Sequence, residues 1–554
     1  MSASALVDGL ARLPDEDKRL LKIAFAAALG ALFAGVVLGA MTAAARAGFF
    51  DPGPVLGYRS MTAHAVSIFF YWLYFSQAGL LLVLATAYAV PSHGIAWRPL
   101  AWAGFALMLA GFGASAHGVW TGVPLLYDAP PELGLQPSAS LVSFYGGYLL
   151  LAAGLFCVAT TGVVTAIRPL ANGEQTEWPV VSFASTAWAG LLMVSAIAAV
   201  NVFLPAALWA MGLRPMPADH ATGWHILFHN LHYLPLMATV LMWYVLIETL
   251  TGVKSIFGPR FSKIVFASYL VFVPPTSLYH MFLEPNLAQS VRVLGSLLSL
   301  FISVPTVTVF LVIVASLEVH ARSAGARGLF GWIGLLPWAN PAMSAIGMAV
   351  VNLAVGGALA FVLIQEKLAP LLSDTFFVPG YFHFLTVGTV TLTFLAALVY
   401  VLPPLTGRPI WRPALLRRLP YLVTAGLALF GVAGVAAGYV GVPRRVLDIT
   451  YGGAAPTVWM VLMVGVGTGG LLMAAALTLH VLALAANLLP APARRAIGVE
   501  LPAVRWEGIA LAPTRAWTGP LAVVVLLGLM VGFTALAFEV MRALPVGAVG
   551  SAAH

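Results

Sequence analysis

Apolar stretches of twenty or more residues recur along the chain from Lys22 to Val540, separated by short polar connections. The hydrocarbon core of a bilayer needs about 20 apolar residues per helical crossing, so the pattern predicts a polytopic helical membrane protein. We count about thirteen segments, starting near residues 22, 59, 99, 139, 179, 221, 262, 290, 340, 375, 418, 454 and 517. They form one transmembrane domain over 22–545, with a lead-in over 1–21, a tail over 546–554, no internal repeat and no separate soluble domain. No cleavable signal peptide is evident, because the first apolar segment is long and a charged run precedes it. An odd number of crossings puts the termini on opposite faces. Lys and Arg gather in the loops that share the N-terminal face, most clearly Lys254–Lys263, Arg408–Arg418 and Arg494–Arg515. The positive-inside rule therefore predicts a cytoplasmic N-terminus.

Composition sharpens this picture. Of 554 residues, 61% are hydrophobic and only 8% charged, and the mean hydropathy of +0.96 excludes a soluble globular domain. Cys157 is the single cysteine, so intrachain disulfides and cysteine-based metal sites are excluded. The net charge of +8 needs no nucleic-acid partner to explain it.

Polar residues inside the apolar segments carry the candidate chemistry, because ionisable groups at membrane depth are costly and mark function. The sixth segment contains WHILFHNLHY, residues 224–233. At about 100° per residue, His225, His229 and His232 fall within about 60° of one another. Three imidazoles on one face suit copper, iron or zinc, whereas a polar face bonded to neighbouring helices is the plain structural alternative. The second segment carries His64. The seventh ends in VPPTSLYHMF, which places Tyr279 and His280 at the level of the sixth-segment cluster. In the tenth, Tyr381 and His383 diverge by about 200° and address opposite sides. The paired Arg444 and Arg445 in VPRR suit capture of carboxylates, or form an ordinary solvated loop pair. His117 reads as interfacial, and ARSAGARGLFGWIGLLPWANP as a packed interfacial hairpin.

Taken together, YRSMTAH, the histidine-rich sixth segment, Tyr279-His280, SVPTVTVF, RGLFGWIGLLPWANP, VPGYFH, VLPPLTGRPI and VPRR resemble subunit I of the haem-copper oxidase superfamily, most closely its B-type cytochrome c oxidase branch. The resemblance covers nearly the whole chain and implies that all-α fold. It implies a low-spin haem, of b type, held by His64 and His383, with Arg444 and Arg445 at its propionates. It also implies a second, high-spin haem beside a copper or non-haem iron. His229 and Tyr233 keep that site's sixth-segment pair, and His280 keeps one seventh-segment ligand. Two positions depart from the family: Tyr279 stands where a metal-ligand histidine is expected, and Tyr381 where the proximal haem histidine is. His232 is the candidate replacement, giving His229, His232 and His280 as metal ligands, with His225 a further candidate. Tyr381 becomes a candidate axial oxygen ligand, and Tyr233 and Tyr279 candidate catalytic or supporting groups. A tyrosinate ligates iron in catalase, but as a hard anionic donor it favours ferric iron. The proton route also changes, since Val309 and Val312 are apolar on the eighth segment while Tyr244 is kept.

The resemblance implies a respiratory subunit of the bacterial inner membrane. Its electrons come from a soluble cytochrome c, through a membrane-anchored cupredoxin-like or cytochrome subunit II, and it reduces dioxygen. Two alternatives stand beside it: a nitric oxide reductase with a modified binuclear site, and a non-catalytic electron-transfer or gas-sensing haem subunit. A metal-ion transporter would use the sixth-segment histidines but leaves His64, His383 and VPRR unexplained. Lipid is the expected surroundings.

Overall fold

The computed structural model describes residues 5–89, 93–122, 127–128, 135–253, 256–274, 290, 303–363 and 368–489. Within these the chain is almost wholly helical, with a single isolated β-bridge between Thr375 and Pro443. The principal helices are α1 (Asp15–Arg46), α2 (Gly53–Ala87), α3 (Arg98–Thr121), α4 (Ala139–Ala171), α5 (Val180–Ala210) and α6 (His220–Thr251). They continue with α7 (Gly258–Phe272), α8 (Ser303–Ser323), α9 (Pro341–Leu363), α10 (Phe377–Thr406), α11 (Pro413–Tyr439) and α12 (Thr457–Leu488). Among the described residues eleven helices are long and apolar enough to cross a membrane. The seventh predicted crossing is described only as α7, and the last, near residue 517, lies outside the described residues.

Burial sorts these helices into an inner and an outer set. The most apolar windows of α2, α6 and α10 are 94%, 83% and 89% buried, whereas most others fall near half. The three therefore form the centre of the bundle, and their neighbours turn one face outward to lipid. Sequential neighbours pack together, most intimately α3 on α4 and α11 on α12. Glycines set the α3–α4 spacing: a Cβ on Gly111 would lie 2.7 Å from the Gly147 carbonyl, and one on Gly154 2.5 Å from that of Gly104. Small residues in this arrangement bring membrane helices into backbone contact.

The helix that carries the first apolar stretch begins at Asp15, ahead of the start of that stretch near 22, and its charged first turn is partly internal. Asp15, Glu16 and Asp17 sit at a helix N-terminus, which favours negative charge. Asp17 is fully buried, accepting from the Ile95 amide at 2.8 Å and from Arg98 Nε at 2.5 Å. The connection between α8 and α9 is packed in part: Leu336 is buried and Trp338 donates its indole N–H to the Ile333 carbonyl at 2.6 Å, while Leu329 and Phe330 are 75% and 70% exposed.

Candidate haem cavity and the helix-six cluster

Both α2 and α10 change their winding at the residues that matter. In α2 the chain turns π-helical over Val66–Trp72, just after His64. In α10 it does so over Phe384–Thr391, immediately after His383. Such wide turns are rare and concentrate at functional sites. They are held by side-chain bonds deep in the bundle: Trp72 Nε1 donates to Thr391 Oγ1 at 2.9 Å, and Trp243 Nε1 to Thr393 Oγ1 at 2.8 Å.

His64 and His383 meet across a cavity of about 220 Å³. Their ring centroids are 6.4 Å apart and their planes lie within 10° of parallel. Rings stacked in contact would lie about 3.5–4.0 Å apart, so a gap separates them. An ion bound by one nitrogen of each ring, at about 2 Å per bond and about 1 Å from nitrogen to ring centre, would set the centroids about 6 Å apart. The observed separation would leave room for one ion between the two rings. Each ring is also oriented for that task. His64 Nδ1 bonds to the Gly35 carbonyl at 2.7 Å, and His383 Nδ1 to the Pro379 carbonyl at 2.7 Å. With Nδ1–H donated to backbone, Nε2 is the basic nitrogen on both rings. Gly39 makes room for this placement, since a Cβ there would stand 2.6 Å from His64 Nδ1. Phe430 packs on His383 at 4.6 Å.

The opposite end of the cavity is cationic. Arg46, Arg444 and Arg445 all line it. Arg46 is buried at the end of α1 and donates to the carbonyls of Arg444 (2.5 Å) and Pro443 (2.6 Å), with its guanidinium 4.6 Å over Phe376. The loop after α11 is thus clamped to α1, and to α10 through the Phe376 amide on the Val442 carbonyl at 2.7 Å. Arg444 pairs with Asp374 at 2.9 Å. Arg445 keeps an exposed edge, but partial removal from water and then the like charge of Arg444 hold its guanidinium below the usual arginine range. Burial raises the Tyr127 phenol, and the two arginines oppose that shift. The Nε atoms of Arg46 and Arg444 are buried without a partner. Orphaned donors and crowded cations beside a bis-imidazole gap fit a haem with its propionates at this end. Arg46 was not legible in the sequence, where it is one arginine ending an apolar run.

The helix-six cluster is arranged differently. His232 sits among three phenyl rings, with centroids 4.2 Å from Phe228, 4.5 Å from Phe382 and 4.7 Å from Phe69. Its Nδ1 bonds to the Phe228 carbonyl at 2.6 Å, which again leaves Nε2 as the basic nitrogen. Phe69 and Phe382 also line the haem-shaped cavity, so they stand between His232 and that cavity. Tyr381 packs between Phe377 at 6.0 Å and Phe382 at 6.3 Å, beside the small cluster of Leu363 and Leu372. His225 and Tyr233 lie on α6 with their own polar or ring contacts. The His229 side chain, Tyr279 and His280 lie outside the described residues. Among the described residues, no group of three or more His, Cys, Asp or Glu side chains is arranged to hold a metal ion.

A helical membrane bundle whose two central helices face paired imidazoles across a cavity is the architecture of a membrane haem protein. The match to the family "Cytochrome C and Quinol oxidase polypeptide I", over residues 19–472, makes the family explicit: the chain belongs to it, as subunit I of the haem-copper oxidase superfamily. A similar relative is "Cytochrome c oxidase subunit 1" of Thermus thermophilus, 33% identical over 255 residues, covering 45% of this chain and 44% of the relative. "Cytochrome c oxidase polypeptide 1" of Halobacterium salinarum is 25% identical over 375 residues, covering 62% of this chain and 55% of the relative. The chain thus aligns with about half the length of these relatives. A solved heme-copper terminal oxidase dimer shares the fold, with a TM-score of 0.84 at 20% identity over 94% of this chain and 92% of that one.

Proposed function

We propose that the chain is the core subunit of a terminal reductase in a bacterial inner membrane, its N-terminus cytoplasmic, reducing dioxygen with electrons from a soluble cytochrome c. The observation that carries the reading is the His64–His383 pair, set 6.4 Å apart with near-parallel rings. A haem bound there supplies one-electron carriage. The chain's own residues do the rest. The carbonyls of Gly35 and Pro379 hold both imidazoles in one tautomer and raise the basicity of Nε2. Arg46, Arg444 and Arg445 supply positive charge for carboxylates at the loop end. The apolar wall, with Phe382 and Phe430, keeps water from the central faces. With no cysteine pair for a dinuclear copper centre, electrons arrive through a cupredoxin-like or cytochrome partner subunit, docked near the loop of Arg444 and Arg445.

The gas-reducing site is assigned to a second haem with copper or non-haem iron, held by His229, His232 and His280. Tyr381 would offer that haem an oxygen donor, with Tyr233 and Tyr279 as supporting groups. The aromatic surroundings of His232 support this in one respect: they exclude water from an imidazole whose Nε2 is left free by the Nδ1 bond to the Phe228 carbonyl. Nitric oxide is the second reading, favoured by Tyr279 and Tyr381 standing where the family places histidines. The test is gas consumption by the purified complex with reduced cytochrome c as donor. Oxygen uptake supports the first reading and nitric oxide uptake alone the second; a complex that binds haem but consumes neither overturns both.

A further inference from the structure

The N-terminus of α5 is closed in and uncapped, on the face of the bundle that carries the chain's N-terminus. Its first residues, Val180, Val181, Ser182 and Phe183, are 8% exposed or less. The first amides of a helix find no partner inside it, and Pro179 at the cap position has no side-chain acceptor to offer. Two side chains beside this end are orphaned as well. Trp178 is 4% exposed, and its Nε1 has no hydrogen-bond partner. Its ring is held there as a staple: it stands one residue before the cap and packs on Phe183, the fourth helical residue, with centroids 5.4 Å apart. Ser182 is fully buried, and its Oγ is also without a partner. Side chains of a helix lean toward its N-terminus, so this hydroxyl lies at the same end as the free amides.

A cation completes the set. Lys263 comes from the second turn of α7, which packs on α5. It is 8% exposed and forms no ion pair among the described residues. The acid whose charge reaches it is Glu177, which is exposed, while Glu174 of the same loop is taken by His93 at 2.6 Å. A buried cation without a paired anion is costly. Only donors are left open here: three amides, an indole N–H, a hydroxyl and an ammonium. That is the chemistry that receives a phosphate group. Along α7, Phe257, Ile264 and Val271 follow at seven-residue spacing and are 43%, 50% and 49% exposed. They share one side, so an apolar stripe runs into the membrane past Lys263, and an acyl chain can lie along it.

We infer that the N-terminus of α5, Trp178, Ser182 and Lys263 bind the phosphate of one anionic phospholipid, drawn from the leaflet on the N-terminal face of the bundle. The helix end and the two orphaned donors hold the phosphate oxygens, Lys263 supplies the opposite charge, and the stripe on α7 takes a chain. The lipid then satisfies the buried end of α5 and joins α5 to α7. The site goes beyond the proposed gas chemistry and does not depend on it.

Native mass spectrometry of the purified, delipidated complex tests the site, with phosphatidylglycerol added back in a titration. One molecule per chain should bind about tenfold more tightly than diacylglycerol, which has the same chains and no phosphate. Lys263→Met should remove that preference and Lys263→Arg should keep it. Trp178→Phe, which loses the indole N–H and keeps the stapling ring, should also remove it. Arg418→Gln, which deletes an exposed cation on the same face, should change nothing. An unchanged low-spin haem spectrum certifies the fold of each variant; should Trp178→Phe lose that spectrum, the Lys263 pair decides alone. Equal binding of the two lipids by the wild type would overturn the inference. So would a preference lost in Arg418→Gln as readily as in Lys263→Met, the mark of general charge attraction. Displacement of the lipid by an equal concentration of inorganic phosphate would overturn it too, because the site would then hold a free anion and the chain on α7 would add nothing.

Discussion

The two histidine-bearing regions of this bundle are built to different standards. At the α2–α10 pair, every feature that orients an axial imidazole is in place: a backbone carbonyl behind each ring, a glycine that clears one of them, and a π-helical turn following each. At α6, His232 has its carbonyl and an aromatic box, but Tyr381 turns toward an apolar cluster. The first region is a pair of imidazoles facing each other across one gap. The second is a set of side chains whose convergence depends on residues of the following helix. An axial pair on two rigid central helices needs only two correct positions, whereas a three-ligand metal site needs agreement among three, and one substitution there calls for another.

Removing a ligand of the first region should have the largest effect. His383→Ala is expected to abolish the low-spin haem signal in the reduced-minus-oxidised spectrum, while circular dichroism still shows a helical chain; an unchanged spectrum would sink the assignment. At the second region, His232→Ala should lose the non-haem metal in elemental analysis and abolish gas turnover, yet keep the low-spin haem signal. Loss of both signals together would mean that the regions are not separable.

Smaller effects probe the supports. Arg46→Met removes the charged donor to two backbone carbonyls, and bonds to charged groups are worth about 1.5–3 kcal/mol each. The two bonds together put the expected loss of unfolding free energy at about 3–6 kcal/mol, read as a lower denaturant midpoint, with haem retention weakened; an unchanged midpoint would show that the loop is held without it. Gly39→Ala would put a methyl group 2.6 Å from His64 Nδ1, too close to stand, so the ring must move, and overpacking of this kind costs about 1–3 kcal/mol. It should move the low-spin absorption band without removing it. Thr391→Val deletes the acceptor of Trp72 Nε1, leaving a buried donor at a cost of about 1–3 kcal/mol. Its expected sign is a modest loss of stability with the spectrum unmoved, since the π-helical turn has other contacts.

How far the sequence spoke for itself follows the same division. Hydropathy alone revealed the crossings, because a helix in lipid must be apolar along its whole length. It did not show that the helix of α1 reaches back to Asp15, since Asp17 looks like lead-in until Arg98 and the Ile95 amide are brought to it from another part of the chain. His64 and His383 were legible through their motifs. Arg46 was not, as nothing in an arginine ending an apolar run reveals a clamp on carbonyls far away in sequence. The Gln77–Trp188 bond between α2 and α5 was equally silent, because a glutamine in an apolar helix acquires meaning only when another helix brings it a partner.

The central claim is that an intact low-spin site stands beside a rebuilt but working metal site, and haem and metal stoichiometry of the purified wild-type complex tests it most directly. The account predicts two haems per chain, one of them low-spin with bis-imidazole ligation, and one copper or non-haem iron. A single haem with no second metal would contradict it, leaving an electron-carrying subunit in which only the His64–His383 pair survives.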